Sequence, residues 1–367
     1  MERVRNTRMP WIIVLFLVAL VCGLSYLAAY LLNGAFAPDV LGKYRLVPGV
    51  ADAEIAVAGD GFVYYDGSTL TRMDSSGEVK WTYLIGGNVE FTAGKYGVAA
   101  WSGDMLTLID IESGTATYSG AQSAGVVSAK VGSDYAAVLL EPANDGSICV
   151  METGGRQVYT AEFDQLTVID YGFFSSGSLL WAMALDTTGS VPTCEITTYK
   201  PGSMRIVGAI SDTEQLMYNV TFQSTSVCCT GVTYYKVYDY TGTEDESRRK
   251  LVYGWYLVSA DSDDDPIMAF VPAGQSDGTV GMQDVRMLRS NLDQTVRMPF
   301  PCESIVARGS RVYGFSADGH VMVAAAGRQK ADAYQMPFAI ENVYGVTDDG
   351  VAVVSSGGTV YLISLGE

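Results

Sequence analysis

The sequence is poor in histidine and in basic residues. It contains one histidine, His320, and 23 lysine and arginine residues against 41 aspartate and glutamate residues, a formal net charge of −18 over 367 residues. A single histidine excludes zinc sites built from several histidines and argues against a Ser-His-Asp hydrolase. The shortage of lysine and arginine argues against a nucleic-acid partner, because phosphate contacts need clustered basic side chains.

Several motifs of catalysis are missing as well. The chain has no phosphate-binding G-x-x-x-x-G-K-[ST] loop, no nucleophile elbow and no C-x-x-C pair. From residue 51 onward it also lacks a helical hydrophobic period, and short apolar runs alternate instead with glycine, aspartate and serine. These absences favour an all-β domain and weaken the case for an enzyme.

One long apolar run stands near the start. Trp11 to Leu32 are uncharged throughout, and a helix of this length spans roughly 33 Å, enough to cross a hydrocarbon core of about 30 Å. A cleaved signal peptide has a shorter run, and the A-x-A pattern at 35–37 is followed by Pro38. We therefore expect an uncleaved signal-anchor helix over residues 11–32 that contacts the lipid bilayer.

Basic residues before this run predict its orientation. Arg3, Arg5 and Arg8 precede it, and positive flanks stay in the cytoplasm. The prediction is a single-pass cell-membrane protein: residues 1–10 cytoplasmic, 11–32 transmembrane, 33–50 a stalk with a ring-closing strand, and 51–367 an extracytoplasmic domain. Beyond Leu32 the chain carries 20 basic and 40 acidic residues, which favours cationic partners and repels anionic lipid.

A layout of strand, acidic residue, glycine turn and second strand recurs along the extracytoplasmic part. Its acidic residues are separated by 36, 42 and 87 residues. The carboxylate can accept backbone N–H bonds in the turn, glycine supplies a positive φ, and an aromatic residue four positions later packs on its neighbour. We predict a structural role for these residues: Asp74, Gly77 and Trp81; Asp110, Gly114 and Tyr118; Glu152, Gly155 and Tyr159; and Asp239 and Gly242.

A four-strand repeat of about 40 residues is typical of a propeller blade. The prediction is an all-β propeller of eight four-stranded blades, with seven as the alternative because units four to six are irregular. The blades fall at 51–86, 87–121, 122–164, 165–212, 213–252, 253–301, 302–338 and 339–367. The last unit offers only three strands, so we expect Tyr44 to Val47 to complete it and close the ring.

The segment 62–81 resembles a quinoprotein-like (PQQ-like) β-propeller repeat, whose consensus combines a strand, an Asp-to-Gly turn and a docking tryptophan. Here these are Asp74, Gly77 and Trp81. With its anchor, the whole chain resembles a family of membrane-anchored propellers from Gram-positive bacteria, a domain of unknown function. Quinoprotein dehydrogenases hold their cofactor with a tryptophan and a calcium ion. That constellation is not found in this sequence, and no cofactor is predicted.

Two acidic loops and the histidine are candidate functional sites. Asp261, Asp263 and Asp265 have a D-x-D-x-D spacing that can present oxygens to calcium, but Pro266 and Ala273 occupy the glycine and glutamate positions of a calcium loop. A solvated loop is favoured there, with calcium as the alternative, and residues 241–250 are also expected to be a solvated turn. His320 follows an Asp-Gly turn and is expected at the surface or in a capping role.

Five cysteines follow the apolar run: Cys149, Cys194, Cys228, Cys229 and Cys302. The number is odd, so at least one thiol is free or paired between chains. A Cys149–Cys194 bridge stays open, while the adjacent Cys228 and Cys229 should point to opposite strand faces.

The sequence therefore predicts a membrane-tethered propeller that binds a protein or a cell-envelope polymer through loops on its rim. The alternative is a propeller enzyme that acts on an envelope carbohydrate or an alcohol with bound calcium or quinone.

Overall fold

The computed structural model describes residues 39–40, 43–50, 53–142, 146–174, 176–203, 205–261, 263–275 and 281–365. These residues form eight sheets arranged as the blades of a propeller, seven with four strands and one with five. The predicted all-β fold and the count of eight blades are confirmed, and the alternative of seven blades is wrong.

In chain order the strands are β1 (Asp39–Val40), β2 (Tyr44–Val47), β3 (Glu54–Ala58), β4 (Gly61–Tyr65), β5 (Thr69–Asp74), β6 (Val79–Leu84), β7 (Glu90–Ala93), β8 (Gly97–Ser102), β9 (Met105–Asp110), β10 (Ala116–Ala121), β11 (Val126–Val131), β12 (Tyr135–Leu140), β13 (Ser147–Glu152), β14 (Gln157–Glu162), β15 (Leu166–Phe173), β16 (Leu180–Asp186) and β17 (Thr193–Lys200). They continue as β18 (Arg205–Asp212), β19 (Met217–Gln223), β20 (Ser226–Gly231), β21 (Tyr234–Asp239), β22 (Lys250–Leu251), β23 (Trp255–Ala260), β24 (Met268–Pro272), β25 (Met282–Arg289), β26 (Leu292–Cys302), β27 (Ser304–Arg308), β28 (Arg311–Phe315), β29 (His320–Ala325), β30 (Asp332–Gln335), β31 (Asn342–Val346), β32 (Val351–Ser356) and β33 (Thr359–Ser364). Short 3-10 helices occupy Pro201–Ser203, Glu246–Arg248 and Ala273–Gln275.

Each blade is an antiparallel meander of strands A to D, from the ring centre outward. Blades 1 to 7 begin at β3, β7, β11, β15, β19, β23 and β27, and blade 8 consists of β31, β32, β33 and β2. The middle strands read as continuous apolar runs because neighbouring blades cover both of their faces. Strand β8, for example, is buried at five consecutive residues, whereas the outer strand β10 alternates between partly buried and exposed residues.

The ring closes through a strand from the N-terminal side. Strand β2 pairs antiparallel with β33, and Tyr44 lies opposite Ile363 and Val47 opposite Val360. This is the pairing expected for Tyr44 to Val47. A further strand, β1, runs parallel to β30 and becomes a fifth strand of blade 7, within the segment expected to be stalk.

The meander gives the ring two different faces. We call the end that carries the A–B and C–D turns the upper face, and the end that carries the B–C turns and the D–A connections the lower face. The A–B turns of several blades meet around the upper mouth of the central channel, where Gly59, Gly94 and Asp348 line one cavity.

No helix within the described ranges is both long enough and apolar enough to cross a membrane. The predicted cytoplasmic residues 1–10 and the predicted span Trp11 to Leu32 lie outside those ranges, so the anchor stays a prediction.

The closing strand provides a matched test of ring closure. Val47 is 2% exposed and packs between blades 8 and 1, while the adjacent Leu46 is 48% exposed. Val47→Asp buries an uncompensated charge and is expected to lower the free energy of unfolding by about 3 kcal/mol or more. Leu46→Asp is expected to stay within about 0.5 kcal/mol of the parent. Urea denaturation of the solubilised full-length chain measures both, and equal losses would contradict this account of closure.

Candidate functional site

The recurring acidic residues cap turns on the upper face. Oδ1 of Asp74 accepts hydrogen bonds from the backbone N–H groups of Ser76 and Glu78, both at 2.9 Å. Asp110 and Asp239 accept equivalent bonds from the residues that follow them. Backbone and side-chain hydrogen bonds from Ser113 lower the pKa of Asp110. Glu152 differs, because its carboxylate pairs with Arg156 instead of the turn backbone.

The aromatic residue of each early repeat packs on the glycine of the next blade. The indole N–H of Trp81 donates to the carbonyl of Ile111 at 2.8 Å, and a Cβ added to Gly114 would lie 2.4 Å from Trp81 Cγ. Tyr118 covers Gly155 in the same way, with a distance of 2.0 Å to Cδ2. Glycine is required at both turns, since φ is also positive there.

Later blade contacts use other residues in the same place. Tyr159 meets Tyr199 of blade 4 with ring centroids 6.1 Å apart. In blade 4 the aromatic is replaced by Gly208, and a Cβ there would lie 1.9 Å from the carbonyl oxygen of Tyr240 in blade 5. At the closure Arg45 packs over Gly77, with 3.6 Å between its Cδ and an added Cβ. Sequence reasoning missed Arg45 because it searched for aromatic side chains.

The upper mouth of the channel forms a cavity of about 400 Å³. Its charged lining residues are Lys95, Lys130, Asp263, Arg308 and Asp348, and its apolar wall includes Val57, Val131 and Phe173. Lys130 Nζ lies 2.7 Å from Asp170 Oδ1 and 2.6 Å from the Tyr171 carbonyl oxygen. Arg308 donates to Asp261 at 2.9 Å and to Asp348. Three of the five charged lining residues, Lys130, Arg308 and Asp348, are therefore paired with an opposite charge.

The candidate calcium residues do not converge. Asp261 is 4% exposed and accepts from Arg308 and from the backbone N–H of Gly309 at 2.6 Å. Asp265 pairs with Arg289 at 3.0 Å, whereas Asp263 is exposed at the cavity. The expectation of a solvated loop is wrong for Asp261, because a partner 47 positions away in the chain buries it. Among the described residues no cluster of three or more metal-ligating side chains occurs.

The other candidate groups lie away from the mouth. His320 stacks on Phe300 with centroids 3.8 Å apart, and its Nδ1 is 2.7 Å from Asp318 Oδ1. All five described cysteines are free and buried, so the Cys149–Cys194 bridge is not formed. Burial raises the pKa of Cys149 to about 11, so its thiol stays protonated at neutral pH. Cys228 and Cys229 enter different core clusters, as predicted for opposite strand faces.

The lower face has a distinct charge. None of its B–C turns and D–A connections contains lysine or arginine, and every basic residue of the eight blades lies in a strand or in an upper-face turn. The described acidic residues of these segments are all exposed: Asp66, Asp104, Glu141, Asp164, Glu214, Glu303, Asp318 and Glu341. Of these, only Glu214 pairs with a lysine or arginine.

Exposed apolar side chains concentrate on the same face, at blades 5 and 6. We define the tyrosine patch as Leu216, Tyr218, Val232, Tyr253 and Tyr256. Two pairs of its members are in contact: the N–H of Val232 donates to the carbonyl of Leu216 at 3.2 Å, and the rings of Tyr218 and Tyr256 stack 5.4 Å apart. Tyr253 is 75% exposed. Exposed apolar patches of this kind mark interaction sites.

Solved structures show what the fold is similar to. The crystal structure of Saccharomyces cerevisiae Sqt1 aligns at a TM-score of 0.58 with 10% identity, covering 90% of this chain and 100% of that one. BamB from Moraxella catarrhalis gives 0.51 with 13% identity over 88% and 96%, and the C-terminal WD40 domain of Sif2 gives 0.61 with 10% identity over 90% and 99%.

Comparisons of sequence identify no relative of this chain. No family model and no curated protein matches the chain. In all, 1067 solved chains match in shape, and the likeness establishes a WD40- and BamB-like propeller fold. Because the identities are this low, function has to be argued from the residues of this chain.

The glycine turns predict a clear stability difference. Gly114→Ala adds a methyl group against Trp81 at a φ of +67° and is expected to cost about 2 to 4 kcal/mol of unfolding free energy. Gly103→Ala is the control, because it has a φ of +63° with no atom within 4 Å of the added Cβ, and it isolates the backbone cost of about 1 to 2 kcal/mol. Chemical denaturation measures both, and equal losses would show that the Trp81 contact contributes nothing.

The capped turns predict an acid dependence. Because its pKa is lowered in the folded chain, Asp110 contributes stability above its unfolded value of about 3.9, and this contribution is lost as the pH falls through the folded pKa. The stability difference between the parent and Asp110→Asn should be constant above about pH 5 and shrink below about pH 4. A difference that grows on acidification would contradict the assignment.

Proposed function

We propose that the protein is a membrane-tethered, extracytoplasmic binding module that holds a protein or cell-envelope partner on the lower face of its ring. The observation that carries the proposal is the combination, on one face, of unneutralised carboxylates and an exposed apolar patch. A rigid ring presents such a surface without reorganisation, which reduces the entropic cost of binding. Loops on a rigid scaffold are a common place for recognition.

The membrane location rests on the sequence. The uncharged run Trp11 to Leu32 has the length of a span, and Arg3, Arg5 and Arg8 precede it. The surplus of acidic residues beyond the run would hold the ring away from an anionic bilayer. The lower face would then be accessible to a partner in the envelope.

Binding is favoured over catalysis by the electrostatics of the carboxyl groups. A general acid at neutral pH needs a raised pKa, whereas every aspartate or glutamate for which a shift is resolved in the described ranges is shifted downward, for example Asp74, Glu152 and Asp293. The paired charges at the channel mouth hold the ring together. The proposed activity requires no cofactor.

The proposal also includes a family relationship. We assign the chain to the quinoprotein-like propellers, in the membrane-anchored group that its sequence resembles. The support is the docking tryptophan, since Trp81 occupies the interblade position on Gly114 that the repeat consensus gives to this residue.

Cysteine labelling tests location and binding face together. The five native cysteines of the ring are buried, so a maleimide reagent should react selectively with Tyr253→Cys on the lower face or Tyr240→Cys on the upper face, 75% and 46% exposed respectively. A membrane-impermeant maleimide added to intact cells is expected to label the upper-face cysteine. The lower-face cysteine is expected to be protected several-fold in native membranes and to react fully once the protein is purified.

The parent chain gives the background, including any reaction of Cys22. Labelling of the upper-face cysteine only after cell lysis would show that the location is wrong. Equal labelling of both cysteines in native membranes, with no increase for the lower-face cysteine on purification, would show that the lower face is unoccupied.

A further inference from the structure

We propose that the cavity at the upper mouth of the channel binds a short zwitterionic peptide of two or three residues with an apolar side chain at its amino end. This site is separate from the lower face, and it goes beyond the proposed function. Three properties of the mouth support it: a volume that suits a small ligand, one unpaired charge of each sign, and an adjoining apolar cavity.

The cavity has the size of a small-ligand site. Its volume is about 400 Å³, and its lining residues come from every blade except blade 5. Ligand pockets usually measure roughly 300 to 1,000 Å³. A compact space of this volume is roughly 9 Å across, and an extended chain of two or three residues spans that width at about 3.3 to 3.6 Å per residue.

Two charged groups of opposite sign remain unpaired at the mouth. Lys130, Arg308 and Asp348 already belong to ion pairs within the protein. Lys95 and Asp263 also line the cavity, and neither forms an ion pair with another described residue. The mouth therefore offers a ligand one ammonium group and one carboxylate.

These two charges enter the cavity from different sides of the ring. Lys95 lies in the A–B turn of blade 2 and Asp263 in that of blade 6, four blades away in a ring of eight. The ammonium of Lys95 lies 5.9 Å from the ring centroid of Tyr96, which is an attractive contact for a cation. A ligand with a charge of only one sign would pair with one group and be repelled by the other. A zwitterion pairs with both, with its carboxylate at Lys95 and its ammonium at Asp263.

A smaller cavity of about 210 Å³ adjoins the first. It shares Lys130, Phe173 and Asp263 with the larger cavity, and its wall also includes Trp181 and Phe222. The carboxylate that pairs with the ligand's ammonium therefore stands beside aromatic side chains. In a peptide the terminal ammonium and the first side chain are attached to the same carbon atom, so the first side chain would enter this smaller cavity. Its aromatic wall favours an apolar residue there.

Isothermal titration calorimetry with the full-length protein in nanodiscs of neutral lipid tests the inference, with empty nanodiscs as blank. The ligands are Leu-Gly-Gly with free termini, its N-acetylated form, its C-terminal amide, and Ser-Gly-Gly. Free Leu-Gly-Gly is expected to bind. Acetylation or amidation should each weaken binding about tenfold or more, because each removes a charge-assisted contact. Ser-Gly-Gly should bind several-fold more weakly, because it buries less apolar area.

Matched variants locate the two ends of the peptide. Lys95→Gln should weaken free Leu-Gly-Gly about as much as amidation does, and it should not weaken the amide further, because the same contact is already lost. Asp263→Asn should behave in the same way with the acetylated peptide. Lys330→Gln and Asp104→Asn are the controls, since both side chains are exposed and lie outside the cavity, and neither should change the affinity. Urea curves that match the parent confirm folding.

Other outcomes would overturn the inference. No binding of free Leu-Gly-Gly at millimolar concentration would show that the cavity does not take such a ligand. Tighter binding of the acetylated peptide would make this an anion site, and additive losses from Lys95→Gln and amidation would place the peptide carboxylate elsewhere. Equal losses in Lys95→Gln and Lys330→Gln would indicate non-specific attraction. Because the cavity lies on the upper face, none of these results would decide whether the lower face is occupied.

Discussion

Packing of each blade against its neighbours is the interaction on which the rest of this structure depends. The middle strands bury both faces, as β8 does over five consecutive residues, so a blade without neighbours would expose its core. The ring must therefore close, and β2 closes it by pairing with β33. Arg45 then covers Gly77 in the register that Trp81 occupies over Gly114, so closure repeats the ordinary blade contact with a different side chain.

The two faces of the ring differ in how their charged side chains are used. Upper-face side chains link blades: Arg72 reaches from blade 1 to the Ile111 carbonyl of blade 2 at 2.7 Å, and Arg308 of blade 7 joins Asp261 of blade 6 to Asp348 of blade 8. Such partners are neutralised and unavailable to a ligand. The lower end has links of its own, since Lys236 pairs with Asp212 and Glu214, but the carboxylates of Asp104, Glu141 and Asp164 have no lysine or arginine partner among the described residues.

Local spacing made the fold predictable from sequence. The Asp-to-Gly turns and their aromatic residues lie within eight residues of one another, and their period gave the blade count. Contacts between distant positions could not be found this way: Asp261 and Arg308 are 47 apart, and nothing in the acidic run of 261–265 indicates that an arginine buries one member. The tyrosine patch was missed for the same reason, because Leu216, Val232 and Tyr253 become neighbours only when three turns of two blades meet on one face.

The ionisation and burial of the carboxylates, thiols and histidine favour the proposed binding function over catalysis. A carboxylate that caps a turn, as Asp74 and Asp239 do, is stabilised in its ionised form and is a poor proton donor. The thiols are buried and protonated, and the single histidine is packed on Phe300. The lower face leaves carboxylates such as Asp104 and Asp164 exposed at blades 2 and 3, and large apolar side chains exposed at blades 5 and 6. The proposed binding function therefore rests on the exposed lower-face turns, whose described acidic residues, Glu214 excepted, pair with no lysine or arginine.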